Sequence, residues 1–570
     1  MSVDLQIGKE TKAQKVERLK RELNPWEHIA QIRRFAREGR SSVPAEWAGM
    51  YFKWWGIYTQ GDGAGAIGGK GGEGLATEYF MMRIGLPNGI LTSRQLRAIG
   101  SIAKQHARNL ADITVRQNIQ LHWLTIDGLV EAMDQLNQVG LGPKGACGDV
   151  VRNVTGCPVA GVSQNEIIDA SPLARRISAI LSGNSEFYNL PRKFKITVTG
   201  CSSWCTYPEI NDVALTAATR RRVHSNEIGF SLRVGGGLSA DPHLAVRLNA
   251  FVTYEQAPEV VRAVAELFRD QPVLRENRER ARLKHLFLQQ GWTAERFLAD
   301  LEARLRYKLD TAEPEQAPES DQRDHVGIHP QKQSELAYLG ASVLRGRVSG
   351  DQLIAVAELA ERFGGGAVRT TAMQNLLLLN VPRQKAPELA KELAAIELPV
   401  EGTTPFWRGA IACTGAEFCK LAITETKSFT RWVVEELEAR VPEFDQPLKL
   451  HVTGCPNSCG QHWIADIGLE GKKLKENGRL VDAYYFCAGG AVGGSPRLAR
   501  PLGYRAPATE VPAALERLFR EYVQSRRDDE NLRSWLARHS EIDLRNYLGG
   551  TPIAPVERDA PFATVPHGVE

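Results

Sequence analysis

The sequence predicts an α+β protein built from two copies of one unit, related by a pseudo-twofold axis. Three observations carry this. Gln95-Leu96 opens an apolar-periodic helix after Thr92-Ser93, and Gln352-Leu353 does the same after Ser349. Gln117-Asn118 precedes a strand over 119–125, and Gln374-Asn375 precedes one over 376–381; both pairs lie 257 residues apart (352 − 95 and 374 − 117). KITVTGCSSWC (195–205) parallels KLHVTGCPNSC (449–459) at an offset of 254 (449 − 195), and Arg152-x4-Cys157 parallels Arg408-x4-Cys413.

The second copy holds the stretch on which the chain turns. Cys413 and Cys419 form C-x5-C, Cys455 and Cys459 form C-x3-C, and 35 residues (420–454) separate the pairs. Zinc sites space their paired ligands by two to four residues, so C-x5-C suits zinc poorly. Four cysteines in two distant pairs suit an iron–sulfur cluster. Pro456 turns the chain after Cys455 so that both thiols of the last pair face inward. The plain alternative, cysteine as a small buried hydrophobe, does not account for two glycine-flanked pairs. In the first copy Ser163 stands where Cys419 stands in the second, leaving Cys157, Cys201 and Cys205. That copy reads as a scaffold that lost its cluster, with a second cluster on those three cysteines as the lesser alternative.

Taken in order, the charged, helix-prone residues 9–40 read as a peripheral helical extension that ends at Gly39. GDGAGAIGGKGGEG (61–74) lacks a leading strand and a clean G-x-G-x-x-G, so it reads as a flexible loop, not a phosphate cradle. TAEPEQAPESDQRDH (311–325) has no periodicity and reads as an exposed linker between the copies. The proline-rich residues 551–566 read as an extended tail.

Composition narrows the class. A chain of 570 residues is too long for one core, and 43% hydrophobic with 24% charged residues is ordinary for a soluble protein. A net charge of +4 is too mild for nucleic acid and suits an anionic ligand or a small acidic protein. Nine cysteines in this length make no disulfide scaffold. No signal peptide or membrane span is expected, which points to the cytoplasm. No dinucleotide fingerprint appears, so electrons for any redox chemistry must come from a separate carrier.

ACTGAEFCKLAITETK (412–427) and HVTGCPNSCGQHWIADIGLEG (451–471) resemble the cluster signature of the ferredoxin-dependent nitrite and sulfite reductases, and the resemblance runs from about residue 46 to 545. It implies a [4Fe-4S] cluster on Cys413, Cys419, Cys455 and Cys459, with Cys459 also bridging to siroheme. After the helical extension, placed over 1–45, it implies a ferredoxin-like half-domain over 46–140 and a nitrite/sulfite reductase core domain over 141–310. A linker over 311–330, a second half-domain over 331–400, a second core domain over 401–550 and a tail over 551–570 follow. The cofactors would lie at the interface of the copies. Reduced ferredoxin would be the donor, sulfite or nitrite the substrate, and the chain a monomer.

The resemblance also assigns the chemistry. Lys193 and Lys195 alternate with Phe194 and Ile196, so strand geometry puts both ammonium groups on one face; the plain alternative is a solvated sheet edge. They match substrate lysines of the family, and Arg83 and Arg152 match its oxyanion-binding arginines, a role suited to a planar, permanently charged fork. Four cations would stabilise the anion and deliver protons as bonds to oxygen break. Arg116, Gln120, His122 and Asn457 match siroheme contacts; the first three fall at even spacing, on one face of an extended segment, though His122 equally suits a structural role. Lys195 implies sulfite, because nitrite-specialised members carry asparagine there, whereas ACTGAEFC and GCPNSCGQ resemble the nitrite signature. The expectation is sulfite reduction, with nitrite or dual activity as the alternative and a non-catalytic zinc or iron–sulfur protein as a third. Tyr58, near the expected pocket, and Cys147, five residues before Arg152, are candidates for a thioether crosslink, against the plainer expectation of a buried free thiol at Cys147.

Overall fold

The computed structural model describes residues 10–60, 78–221, 226–315, 318 and 324–549. The glycine-rich loop at 61–74 and the tail at 551–566 lie outside the described residues.

The duplication is visible in every layer. Helices Ser93–His106 and Gly350–Gly364 both start with a capping box, Thr92 with Gln95 and Ser349 with Gln352. The two half-domain sheets exchange strands. One runs Ile57–Thr59, Phe80–Ile84, Ile119–Leu124, Leu110–Ile113 and then Arg347–Ser349 from the other copy. The other runs Gly327–Pro330, Leu336–Ala341, Leu376–Pro382, Ala367–Thr370 and then Ile90–Thr92 from the first copy. Each sheet therefore completes its edge with a strand from its partner half, which welds the two into one core. The two long helices cross where Gly100 and Gly350 meet: a Cβ on Gly350 would sit 2.5 Å from the Gly100 carbonyl oxygen.

The glutamines marked by the repeat sit at this weld. Gln117 and Gln374 both take left-handed backbone, φ 59° and 64°. Gln117 donates to Thr370 O (3.0 Å) across the axis and accepts from Gly156 N. Gln374 donates to Ile113 O (2.8 Å) and accepts from Ala412 N. Each ties the opposite half-domain to the first strand of its own core domain.

The core domains repeat one five-stranded sheet. Thr155–Gly156, Ile196–Thr199 and Val213–Arg221 run parallel, then Asn226–Val234 and Val246–Thr253 antiparallel. Ala410–Ala412, Leu450–Thr453, Ile467–Glu476, Arg479–Ala488 and Arg500–Pro507 follow the same pattern. Helices Ser171–Leu181 and Ala257–Arg269 cover the first sheet, Lys427–Arg440 and Val511–Ser525 the second.

Two expectations change. The N-terminal extension is helical, over Lys12–Glu22 and Ile29–Glu38, but it is not peripheral. Leu19, Trp26, Ile32 and Phe35 enter the half-domain core, and buried Lys20 pairs with Asp149 at 3.1 Å. A large apolar stripe on a charged helix must be covered, and the first half-domain covers it. The linker is likewise pinned where it is described: Glu315 pairs with Arg233 and Asp324 with Arg408 (2.8 Å), and Gly327–Pro330 is already a strand. Its acids find arginines on both core domains.

Candidate active site

The four cysteines of the second copy are delivered by the carboxyl ends of two adjacent parallel strands. Cys413 follows Ala410–Ala412 and Cys455 follows Leu450–Thr453. Such neighbours lie about 4.8 Å apart, so the loops leaving them start side by side. Backbone crowds in where glycine allows it: a Cβ on Gly460 would meet Val452 O at 2.3 Å. Gly454 N donates to Cys413 Sγ (3.3 Å), and the Asn457 amide lies 3.5 Å from Cys455 Sγ. Burial, then the neighbouring Cys459, pushes the Cys413 and Cys455 thiols up, and the same causes push Cys419 up to about 12. The four act on one another as a set that resists becoming four thiolates by itself. A polynuclear cation removes that resistance, so the donor set fits a cluster.

Beside this set lies a basic pocket drawn from the first copy. Phe194, Ile196 and Val198 are fully buried while Lys193 and Lys195 are half-buried, as the alternation predicts. Burial, then Arg282, lowers Lys193 to about 7, and Cys459 partly offsets this. Burial, Arg282, Lys193 and Arg116 hold Lys195 well below the usual lysine range. Burial works against the charge of Arg83, but Cys147, Tyr58, Cys459 and Cys419 outweigh it. Cys459 therefore acts on both Lys193 and Arg83, and Arg152 acts on Lys193. The structure thus brings Arg83, Arg152, Lys193, Lys195 and Arg116 together next to Cys419 and Cys459. Crowded cations with lowered pKa values call for an anion between them.

Arg116 corrects one expectation. It stands in a turn before the strand, not on one extended face with Gln120 and His122, because Gln117 takes its left-handed conformation there. From that turn it donates to Asn211 Oδ1 (2.8 Å) and Asn153 O (2.6 Å), its Nε has no hydrogen-bond partner in the described structure, and burial lowers it to about 9. A basic pocket with an orphaned guanidinium nitrogen fits a polycarboxylate macrocycle. Gln120 is buried against Met81 Sδ at 3.4 Å. His122 is structural on one side: Nε2 lies 3.2 Å from Asp112, within a buried group that includes Arg347 and Lys427, and its ring stacks on Phe418 at 3.9 Å. Its Nδ1 has no hydrogen-bond partner in the described structure.

Tyr58 and Cys147 do meet. The Tyr58 hydroxyl, raised to about 12 by burial and then by Cys147, hydrogen-bonds with the Cys147 thiol, and Arg83 Nη1 donates to Cys147 Sγ at 3.0 Å.

Further contributors escaped the sequence reading. Lys53, lowered to about 8 by burial, interacts with Asp149, Arg192 and Lys420; a lone cation in the aromatic run Tyr51–Trp55 was the available signal. Arg282 pairs with buried Asp212 at 2.8 Å, and Asp212 also accepts from Lys195 N at 2.8 Å. Arg192 and Arg278 share Asp149 with Lys20. No pattern in the sequence joins Arg282 to Asp212.

The equivalent surroundings in the other copy are neutralised. Arg408, the match of Arg152, forms a two-pronged pair with Asp324. Lys449, the match of Lys195, repeats its backbone bond to a carboxylate, Asp466 at 2.8 Å, but its side chain is fully buried over Tyr207. Arg83 corresponds to Gly340 (83 + 257), where the His325 carbonyl packs against the backbone.

Comparison with known proteins agrees with the doubled architecture. The family model "Nitrite and sulphite reductase 4Fe-4S domain" matches 147–309 and 404–549, and "Nitrite/Sulfite reductase ferredoxin-like half domain" matches 74–139 and 329–396. An assimilatory ferredoxin-dependent nitrite reductase of Haloferax mediterranei is 36% identical, covering 93% of this chain and 92% of that one. A sulfite reductase [ferredoxin] of Mycolicibacterium paratuberculosis is 36% identical over 92% and 94%. The solved structure of Mycobacterium tuberculosis NirA protein superposes with a TM-score of 0.87 at 35% identity, covering 93% of this chain and 97% of that one.

Proposed function

We propose, because this chain belongs to the nitrite and sulfite reductase family, that it reduces sulfite to sulfide in a six-electron reaction driven by reduced ferredoxin. Membership makes it an oxidoreductase that works with a [4Fe-4S] cluster and siroheme. When bound, these supply the electron path and the iron that receives the substrate. Cys413, Cys419, Cys455 and Cys459 would hold the cluster, Cys459 bridging to siroheme, with Arg116, Gln120, His122 and Asn457 on the macrocycle.

The chain's own residues supply charge and protons. Lys193, Lys195, Arg83 and Arg152 surround one space beside Cys459, where they bind the oxyanion and hold protons for the departing oxygens. Lys195 is the observation that carries sulfite over nitrite, since a dianion gains more from an extra cation. The second reading, nitrite to ammonia, draws support from relatives that bear both names and from the nitrite-like ACTGAEFC and GCPNSCGQ stretches.

An external donor suits the geometry. Leu421, two residues past Cys419, is 62% exposed next to Lys420, which gives the cluster an edge that a small acidic carrier can approach. Among the described residues no helix is long and apolar enough to cross a membrane, and the same reading makes the chain a cytoplasmic monomer whose two copies furnish one site. Steady-state kinetics with sulfite and nitrite in parallel, driven by reduced ferredoxin, is the test. A higher kcat/KM for sulfite is expected; a higher one for nitrite replaces the first reading with the second, and turnover of neither removes both.

A further inference from the structure

The degenerate copy is not chemically empty. Cys201 Sγ lies 3.7 Å and Cys205 Sγ 3.8 Å from Cys157 Sγ, and all three are buried. Among the described residues they form the sole group of three or more His, Cys, Asp or Glu ligand atoms within 4.8 Å of one another. We propose that Cys157, Cys201 and Cys205 bind a single thiophilic ion of the zinc class, a metal site separate from the [4Fe-4S] set.

The spacing selects the ion. Zinc–sulfur bonds of about 2.3 Å at tetrahedral angles set sulfurs about 3.8 Å apart. A four-iron cluster instead gives each cysteine its own iron, which holds the sulfurs farther apart; the Cys413, Cys419, Cys455 and Cys459 set is not drawn within the 4.8 Å limit that the trio meets. Ser163 in place of the fourth cysteine removes one cluster ligand and costs a single ion nothing essential, because three protein ligands with one open position are an ordinary zinc arrangement. A cavity of about 320 Å³, lined by Ser163, His325, Tyr338 and Arg408, shares Tyr338 with the packing around the trio. Tyr338 packs with the three cysteines, and among the described residues no histidine nitrogen joins the trio within 4.8 Å, so the fourth position falls to water from that cavity. Leu377 and Leu379 of the opposite half-domain close the other side. The ion would stand at the seam between first core domain and second half-domain, bound in the native chain and not in the unfolded one, and so contribute to stability.

The test uses holoenzyme purified in reducing buffer, incubated with Zn2+ alone and desalted. Expected are one tightly bound zinc per chain, beyond the cluster and siroheme iron, and a zinc X-ray absorption spectrum with three sulfurs at about 2.3 Å. Cys201→Ser and Cys157→Ala should each lower bound zinc at least tenfold while iron content and the visible bands stay unchanged. If either variant fails to fold, the wild-type protein decides: a chelator should remove zinc without bleaching the visible bands, and three further thiols should then react with a maleimide. Absence of zinc overturns the proposal, as do zinc retained by both variants, a disulfide among the three cysteines in peptide maps, or eight cluster irons per chain.

Discussion

Two cysteine-bearing regions of this molecule share a backbone and differ in what they hold. In each, a glycine lets backbone approach closely, Gly200 against Ile168 O and Gly454 against Thr424 O, and in each a lysine N–H is anchored on an aspartate, Asp212 or Asp466. In the second copy four thiols face a basic pocket supplied by the first. In the first copy three thiols close on one another, and the corresponding arginine is cancelled by Asp324. The difference teaches that duplication preserves what the backbone needs, whereas one site is retained by a handful of side chains: Cys419 against Ser163, Arg83 against Gly340, Arg152 uncancelled against Arg408 paired.

The largest break in that comparison comes from the cysteines. Cys459→Ser should lower turnover by at least about 100-fold, as loss of a metal-site group does, whereas Cys201→Ser should leave turnover near wild type. Turnover assays beside cluster spectra check this; near-normal turnover of the Cys459 variant with an intact cluster would misplace the bridging thiolate.

Next come the paired lysines. Lys195→Asn should cost sulfite turnover about 1–3 kcal/mol, or about 5- to 150-fold, with a smaller loss for nitrite. Lys449→Asn should instead lower thermal stability and leave the sulfite-to-nitrite ratio of kcat/KM alone, since that lysine is buried away from the pocket. Equal losses for both substrates in the Lys195 variant would remove this residue from specificity.

A pH effect of middle size follows from Lys193, lowered to about 7. Its protonated form is the proton donor, so kcat/KM should fall as pH rises through that value, and Lys193→Arg should move the fall to higher pH. The stability sign runs the other way. A lysine lowered in the folded state takes its proton more readily when unfolded, so the cofactor-free chain should lose stability as pH falls from the ordinary lysine range towards 7. Thermal melts of cofactor-free protein across that range give the check; melts that are flat with pH argue that Lys193 is solvated.

The smallest effect concerns Tyr58 and Cys147, which have no counterpart in the degenerate pocket. Joining Cys147 sulfur to the Tyr58 ring carbon beside the hydroxyl releases two protons and two electrons to an oxidant such as dioxygen. Intact mass should then be lower by two hydrogens, with one joined peptide on mapping. Separate, alkylatable Cys147 and unmodified Tyr58 peptides would leave the pair as a hydrogen bond alone.

Much of the site was legible because its signals are local. The C-x5-C and C-x3-C pairs, the Lys193/Lys195 alternation and the Gln-Asn pairs at 117–118 and 374–375 are each complete within a few residues. Arg116 was misread in its local geometry because a left-handed turn at Gln117 interrupts the extended segment, and a non-glycine residue there leaves no mark. The N-terminal extension was misread because only its partner, the first half-domain, shows which face is covered.

The sequence by itself determined the duplication, the two cysteine sets, the serine at 163 in place of a fourth cysteine and the cations that gather near them, since residue type and period are carried by neighbouring positions. Only the tertiary structure decided which copy's basic surroundings are neutralised. Asp324 reaches Arg408 from the linker, Arg282 reaches Asp212 over a separation of 70 residues, and Cys459 of one copy acts on Lys193 and Arg83 of the other. Electrostatic pairing and burial depend on distance in space, and the exchange of strands Ile90–Thr92 and Arg347–Ser349 sets those distances.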